Sequence, residues 1–162
     1  MKHKVPLILM LLTLTCLSAC SSFKTTAQRE METAQVTLES FFTLLAYGAY
    51  EQAASIYSGS YEPLLSMNPS IPPEDVKELW RNACLYNGYQ CLEIKNVASA
   101  SRDAQGFYHF VVEFKQKDGS LFVLGPCCGA SATEMPPQSQ FEYIVRCNNG
   151  IFSVVDPPVF VP

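Results

Sequence analysis

Histidine is scarce in this chain, and the motifs that carry well-known chemistry are missing from it. The 162 residues include only two histidines, His3 and His109. A single histidine beyond the first few residues excludes the paired-histidine HExxH motif of zinc proteases. No Gly-x-Ser-x-Gly, Cys-x-x-Cys or glycine-rich phosphate loop occurs either. The sequence therefore contains no recognisable catalytic or ligand-binding motif, and we expect no cofactor and no bound metal.

Basic residues are also few. Eleven lysines and arginines stand against 15 acidic residues, for a net charge of −4. Residues 1–19 hold two of the lysines and none of the acidic residues, which leaves 9 basic residues, 15 acidic residues and a net charge of −6 beyond them. Binding to nucleic acid needs clustered Lys and Arg against the phosphates. We therefore expect no nucleic-acid partner.

The first twenty residues have the pattern of an export signal. Lys2 and Lys4 precede an apolar run from Val5 to Leu17. A run of about a dozen residues fits the central region of a signal peptide, whereas a membrane-spanning helix needs roughly 20 apolar residues. The run ends in Leu17-Ser18-Ala19-Cys20, with small residues directly before the cysteine. We predict that residues 1–19 are a signal peptide.

These four residues resemble the lipobox of bacterial lipoproteins, Leu-(Ala/Ser)-(Gly/Ala)-Cys, at every position. The resemblance implies cleavage before Cys20 and attachment of lipid, such as palmitate, to its sulfur. Two acyl chains give a stable membrane anchor where one holds only marginally. The protein would then sit on the extracytoplasmic face of the cell membrane or the outer membrane. The alternative is ordinary secretory cleavage after Ala19 with no lipid.

The rest of the chain divides into a spacer and one domain. Residues 20–26 would comprise the lipidated cysteine and a short polar spacer, and residues 27–162 a single domain. Helical spacing of apolar residues predicts a long helix from Ala27 to Tyr47, with Thr25 as its N-cap and Gly48 ending it. Shorter helices are predicted over 50–57 and from Pro73 to about Asn87, with 61–72 irregular.

The second half of the chain changes to strand periodicity. Strands are predicted over 91–97, 106–116, 121–124, 140–147 and 151–155, with hairpin turns at Asp118-Gly119 and Asn149-Gly150. Helices followed by an antiparallel meander make an α+β fold. In the strand 106–116, Tyr108, Phe110, Val112 and Phe114 share one face. The opposite face still carries Phe107 and Val111, so we expect it to be covered or to line a cavity.

The segment 41–57, FFTLLAYGAYEQAASIY, resembles the opening of nuclear-transport-factor-2-like domains. Those domains begin with a long helix, a glycine and a second helix that opens with an aromatic residue, an acidic residue and alanines. The resemblance implies N-terminal helices packed on a strongly curved antiparallel sheet, in a cone that spans about 27–155. This superfamily includes isomerases, dehydratases, binding scaffolds and uncharacterised lipoproteins, so the resemblance implies a fold and no activity.

Cysteines give the strongest chemical signal after the lipobox. Beyond Cys20 the chain holds Cys84, Cys91, Cys127, Cys128 and Cys147. An exported protein with this content is expected to form disulfides, and the odd number leaves at least one thiol. Cys84 and Cys91 can bridge locally across the Asn87-Gly88 turn, or either can reach the adjacent pair. That pair can also form a vicinal disulfide.

Cys147 is predicted to be a buried free thiol. A hairpin closed near residues 130–136 would set Cys147 opposite residues 118–120. It would then lie roughly 20 Å along the strands from Cys127 and Cys128. A disulfide needs Cα atoms within about 7 Å, so Cys147 would be out of reach.

Three functional hypotheses follow from these patterns. The first is a non-catalytic domain that binds an envelope protein or a small apolar ligand. The second is a cone-fold enzyme for a small hydrophobic substrate, with His109, Glu113 or Tyr143 as acid or base. The third is a thiol/disulfide role for Cys127 and Cys128. An open cavity that receives His109 would favour the enzyme, and a cone filled by Phe110, Phe114 and Trp80 would argue against it.

Overall fold

The computed structural model describes residues 25–162, which form an α+β fold as predicted. Residues 1–24, with the predicted signal peptide and Cys20, lie outside the described residues. The strands make one antiparallel sheet in sequence order. No helix within 25–162 is both long and apolar enough to cross a membrane. The elements are α1 (Thr26–Ala46), α2 (Tyr50–Ser55), α3 (Glu62–Met67), α4 (Val76–Leu85), β1 (Ile94–Arg102), β2 (Tyr108–Phe114), β3 (Phe141–Asn148) and β4 (Ile151–Val154).

The long helix α1 begins at the predicted cap. Gln28 N donates to Thr25 Oγ1 at 3.2 Å, and Thr25 N donates to Gln28 Oε1 at 2.8 Å. This reciprocal capping box satisfies two backbone N–H groups that the first turn would leave unpaired. Gly48 follows the helix with φ +76°. The stripe that faces the core consists of Ala34, Leu38, Phe41, Phe42 and Leu45, all buried.

The segment 61–72, predicted to be irregular, contains the helix α3. Pro63 lies in the first turn of α3, where a missing N–H leaves no helical hydrogen bond unmade. The next helix, α4, begins at Val76 rather than near Pro73, because Asp75 is its N-cap and accepts a hydrogen bond from Glu78 N at 3.1 Å. A proline in the segment 61–75 can therefore lie in the first turn of a helix, as Pro63 does, as well as in a loop.

The central strand β2 separates two different surfaces. Tyr108, Phe110, Val112 and Phe114 are buried against the helices. The ring of Phe42 on α1 packs edge-on against Phe114, with centroids 4.8 Å apart. The opposite face was expected to be covered or to line a cavity. Instead His109, Val111 and Glu113 on that face are half-buried at the surface.

The predicted strand 121–124 does not form. Gly119 makes the expected turn with φ +82°, and Lys115 bridges Leu121. The chain then leaves β2 and pairs Leu124 with Gln138. Strand β3, rather than the segment 121–124, therefore pairs with β2. The register of this pair places apolar side chains of both strands on the buried face of the sheet.

This pairing makes the predicted register of Cys147 wrong. Tyr108 lies opposite Val145, and Cys147 lies opposite Phe152 of β4 rather than opposite residues 118–120. The sulfur of Cys147 is free and half-buried. The prediction of a free thiol there is thus confirmed, but the side chain is half-buried rather than buried, and the register used to reach the prediction is wrong.

The C-terminal segment packs beside the end of α4. Gln90 N donates to Val159 O at 2.7 Å, and Val161 N donates to Gly88 O at 3.0 Å. Gly88 has φ +83°, and a Cβ on it would lie 2.2 Å from Val161 O. Only glycine fits both requirements, so the turn after α4 and the C-terminal segment are held together at this point.

Candidate functional site

A disulfide joins Cys84 in the last turn of α4 to Cys91, with Cα atoms 5.4 Å apart. Of the pairings that the sequence left open, this is the local one. Cys127 and Cys128 are free, so the alternative in which they pair with Cys84 or Cys91 is wrong. The bridge fixes the segment 84–91 across the turn at Asn87 and Gly88.

A surface groove runs beside this disulfide. Three shallow depressions of about 460, 230 and 430 Å³ adjoin one another there, and all three share Leu92 and Lys117. The 430 Å³ depression is lined by both cysteines of the bridge. We call the combined feature the disulfide groove, and define it by Tyr47, Tyr50, Tyr86, Gln90, Leu92 and Lys117.

Two tyrosines at the mouth of the disulfide groove are unusually exposed. Tyr47 follows the last residue of α1 and Tyr86 follows the last residue of α4. Their exposed fractions are 75% and 70%. Exposed tyrosines combine a large apolar ring with a polar hydroxyl, which suits them to contact surfaces.

The disulfide groove has charged walls of both signs, because Lys115 and Lys117 line it together with Glu93 and Asp118. Lys115 pairs with Glu93 at 2.9 Å, and Lys95 Nζ donates to Gly119 O at 2.9 Å. Lys117 stands at the tip of the turn and forms no ion pair with any residue in 25–162. Because its ammonium group is unpaired beside apolar and aromatic walls, the groove can receive an apolar segment that bears a carboxylate.

The predicted acid or base His109 lies on the outer face of the sheet. Its Nε2 is 2.9 Å from Asp103 Oδ2, and Asp103 Oδ1 accepts from Phe107 N at 2.8 Å. The hydrogen bond from His109 holds the pKa of Asp103 below its usual value. Asp156 also interacts electrostatically with His109, although burial raises the pKa of Asp156. No local pattern predicts this second carboxylate, because Asp156 lies 47 positions beyond His109 in the chain.

The structure does not bring the three candidate acid/base residues together. Glu113 shares the outer face with His109 but lies four residues further along β2, about 13 Å away. Its carboxylate accepts hydrogen bonds from Asn96 and Gln140, at 3.3 and 3.1 Å.

Tyr143 points to the opposite, buried side of the sheet. It lies directly across from Phe110, and burial raises its pKa well above the ordinary value. A proton relay that joins Tyr143 to the other two candidates therefore has no geometric basis.

The interior of the domain is filled by aromatic side chains. Phe110, Phe114 and Trp80 are each at most 1% exposed. Trp80 stacks edge-on against Phe41, with centroids 5.5 Å apart, and its Nε1 donates to the Tyr61 hydroxyl at 3.2 Å. Because these side chains fill the interior, the structure argues against an enzyme that acts through an internal cavity and His109.

Cys127 and Cys128 form a second notable site, on the long loop between Leu124 and Gln138. Their sulfur atoms are 2.8 Å apart, Cys128 is exposed and Cys127 is half-buried. Within residues 25–162, no group of three or more His, Cys, Asp or Glu side chains could hold a metal ion. Cys127 and Cys128 are both free thiols.

Comparison of the chain with protein-family models, with curated proteins and with solved structures finds no match. The likeness to bacterial lipoproteins and to nuclear-transport-factor-2-like domains therefore depends on the sequence patterns described above. The structure of residues 25–162 shows the α+β fold, the disulfide between Cys84 and Cys91, and the two surface sites described above.

Proposed function

We propose that this protein is an exported lipoprotein, anchored to a bacterial membrane through Cys20, whose domain binds an envelope protein without catalysing a reaction. The observation that carries the proposal is the four-residue match at Leu17-Ser18-Ala19-Cys20, placed directly after a lysine-flanked apolar run. The disulfide between Cys84 and Cys91 is consistent with an oxidising compartment outside the cytoplasm.

The fold that goes with this proposal is the nuclear-transport-factor-2-like cone. It is supported by the order of a long helix, a glycine, a second helix and an antiparallel sheet whose apolar face packs on the long helix. Its interior is filled, so binding is assigned to the surface. The disulfide groove is the surface we choose, because it combines exposed tyrosines with an unpaired lysine.

The groove lies at the C-terminal end of α1, whereas the proposed anchor precedes the helix in the sequence. Cys20 precedes the cap residue Thr25 by five positions, whereas Tyr47 follows the other end of the helix. A helix of 21 residues is about 31 Å long. An anchored domain would thus hold the groove away from its own attachment point, which favours a protein partner over the anchoring bilayer. A carboxylate-bearing apolar segment of that partner fits Lys117 and the tyrosines.

The anchor is tested by metabolic labelling of the full chain with palmitate in a bacterium, beside the variant Cys20→Ser. We expect label and detergent-phase partitioning for the unaltered chain and neither for the variant. Cys16→Ser, which leaves the lipobox cysteine in place, is the matched control. Labelling of the Cys20→Ser variant, or a secreted, unlabelled wild-type protein, would overturn the anchor.

The groove is tested by a photo-crosslinking amino acid in intact cells, placed at Tyr86 in one variant and at Ile151 in another. Both side chains are more than two-thirds exposed, but Ile151 is the first residue of β4 and lines none of the three depressions. We expect a discrete crosslinked species from position 86, absent at position 151 and lost when Lys117→Glu is added. Equal crosslinks from both positions, or no effect of Lys117→Glu, would contradict binding in the groove.

A further inference from the structure

The loop that carries Cys127 and Cys128 is closed at its base. Leu124 N donates to Gln138 O at 2.8 Å, and Gln138 N donates back to Leu124 O at 2.9 Å. Further along, Ser131 N and Ser131 Oγ both donate to Glu134 Oε2, at 2.8 and 2.9 Å. Hydrogen bonds therefore hold the loop on both sides of the two cysteines.

The two cysteines themselves lie in a tight turn. Ala130 N donates to Cys127 O at 2.9 Å. The central residues Cys128 and Gly129 both have positive φ, +60° and +88°, as in a type I′ turn. A non-glycine residue in this region is uncommon. The turn holds the two sulfur atoms 2.8 Å apart at the surface. This distance is shorter than the ordinary van der Waals contact between two unbonded sulfur atoms.

We propose that Cys127 and Cys128 form a dithiol site for thiol–disulfide exchange with an external disulfide-bearing protein, with Cys128 as the attacking sulfur and Cys127 as the resolving one. The exposed position of Cys128 and the half-buried position of Cys127 assign the two roles. The proposal is independent of the lipid anchor and of the disulfide groove.

The exchange balances in two steps. The thiolate of Cys128 attacks one sulfur of the partner's disulfide; a mixed disulfide forms, and the partner's other sulfur leaves as a thiolate. The thiolate of Cys127 then attacks Cys128 Sγ, which closes the vicinal disulfide and releases the partner's second thiolate. The two protons lost by the cysteines end on the partner's thiols, so the partner is reduced by two electrons and this chain is oxidised by two. The reverse sequence reduces the pair.

The other cysteines of the described residues are not suited to this role. Cys84 and Cys91 are already bridged, and Cys147 is half-buried on β3 with no second thiol beside it. The hydrogen bond with Cys128 raises the pKa of Cys127.

The test uses detergent-solubilised full chain in glutathione buffers of stepped redox ratio, with peptide mass mapping of every cysteine. We expect a reversible loss of two mass units confined to the peptide of Cys127 and Cys128. Cys127→Ser should instead accumulate glutathione on Cys128, and Cys128→Ser should form its mixed disulfide at least about tenfold more slowly. A Cβ on Gly129 would meet no atom within 4 Å, but alanine disfavours the positive φ of this residue. We therefore expect Gly129→Ala to close the vicinal disulfide more slowly, because it disturbs the turn that holds the two sulfur atoms together.

Two outcomes would overturn the proposal. One is that Cys127 and Cys128 stay reduced in every buffer that oxidises a short peptide of the same sequence. The other is that Cys147 takes up glutathione as fast as Cys128 does. The bridge between Cys84 and Cys91, followed in the same maps, verifies that each variant is folded.

Discussion

Glu30 Oε2 lies 3.0 Å from the hydroxyl oxygen of Tyr108 and accepts its hydrogen bond. The same oxygen accepts from Arg102 at 3.0 Å, and the Arg102 guanidinium stands 5.0 Å from the centre of the Tyr108 ring. These contacts tie the first turns of α1 to the β1–β2 hairpin. Because Tyr108 is only 1% exposed, its hydroxyl depends on Glu30 for a partner. The burial and the neighbouring carboxylate raise its pKa.

A double-mutant cycle measures this tie. Glu30→Ala should lower the free energy of unfolding by about 1–2 kcal/mol, because a buried hydroxyl is left without an acceptor. Tyr108→Phe should make the loss of Glu30 nearly neutral, so the coupling should be about 1–2 kcal/mol. Urea denaturation of the four proteins gives the value. Strictly additive effects would mean that the Tyr108 hydroxyl does not depend on Glu30.

The bridge between Cys84 and Cys91 should stabilise the domain although the loop it closes is short. A loop of this length corresponds to about 2.5 kcal/mol of lost unfolded-state entropy in the chain-entropy treatment. We expect Cys84→Ser with Cys91→Ser to lower the free energy of unfolding by about that amount. Cys147→Ser, which removes a free thiol, is the control in the same urea titrations. Equal losses in both would show that the bridge adds nothing specific.

Glycines 88 and 150 provide a matched pair that separates backbone strain from close packing. Both have strongly positive φ, +83° and +81°, yet a Cβ on Gly150 meets nothing within 4 Å. Gly150→Ala should therefore lose about 1–2 kcal/mol for the left-handed backbone alone. Gly88→Ala should lose at least about 1 kcal/mol more, since its Cβ collides with Val161 O. If the two variants unfold at the same urea concentration, the contact with the C-terminal segment is unimportant.

Much of the fold was predictable because its signals are local. The capping box at Thr25, the alternation along β2 and the turn at Gly119 all depend on residues within a few positions of one another. The register of Cys147 was not predictable in this way, because it depends on which apolar faces of distant strands meet. Helix α3 was not predicted for a different reason: a proline is compatible with irregular chain as well as with the first turn of a helix, where Pro63 lies.

The candidate sites were predictable only in part. The local bridge between Cys84 and Cys91 was among the alternatives, since both lie near one turn. The disulfide groove was not anticipated, because the exposure of Tyr47 and Tyr86 arises from how the ends of two helices approach the hairpin tip at Lys117. The two carboxylates near His109 also differ in how far they could be predicted. Asp103 belongs to the turn directly before β2, whereas Asp156 follows β4 and is brought close only by the folding of the sheet.

Asp156 should make the stability of the domain fall as the pH rises, relative to a variant that cannot ionise. Its carboxylate accepts from Ile144 N at 2.7 Å, and Asp156→Asn keeps an oxygen for that bond. Burial raises the pKa of Asp156 in the folded state, although this backbone bond and His109 partly offset it. The folded state therefore holds the proton more tightly than the unfolded state. The contribution of protonated Asp156 to the free energy of unfolding is complete below the unfolded pKa of about 4. This contribution is lost as the pH rises through the higher pKa of the folded state.

Unfolding titrations from about pH 3 to pH 8 would check this sign. The stability of Asp156→Asn minus that of the unaltered chain should rise with pH and then level off. Asp118→Asn is the matched control of opposite slope, because hydrogen bonds from Ser120 lower the pKa of Asp118. Its stability relative to the unaltered chain should fall as the pH rises through the lowered folded pKa of Asp118 to the unfolded value. A flat or falling curve for Asp156→Asn would mean that burial does not govern the ionisation of Asp156, since only desolvation drives that pKa upward while its polar neighbours pull it down.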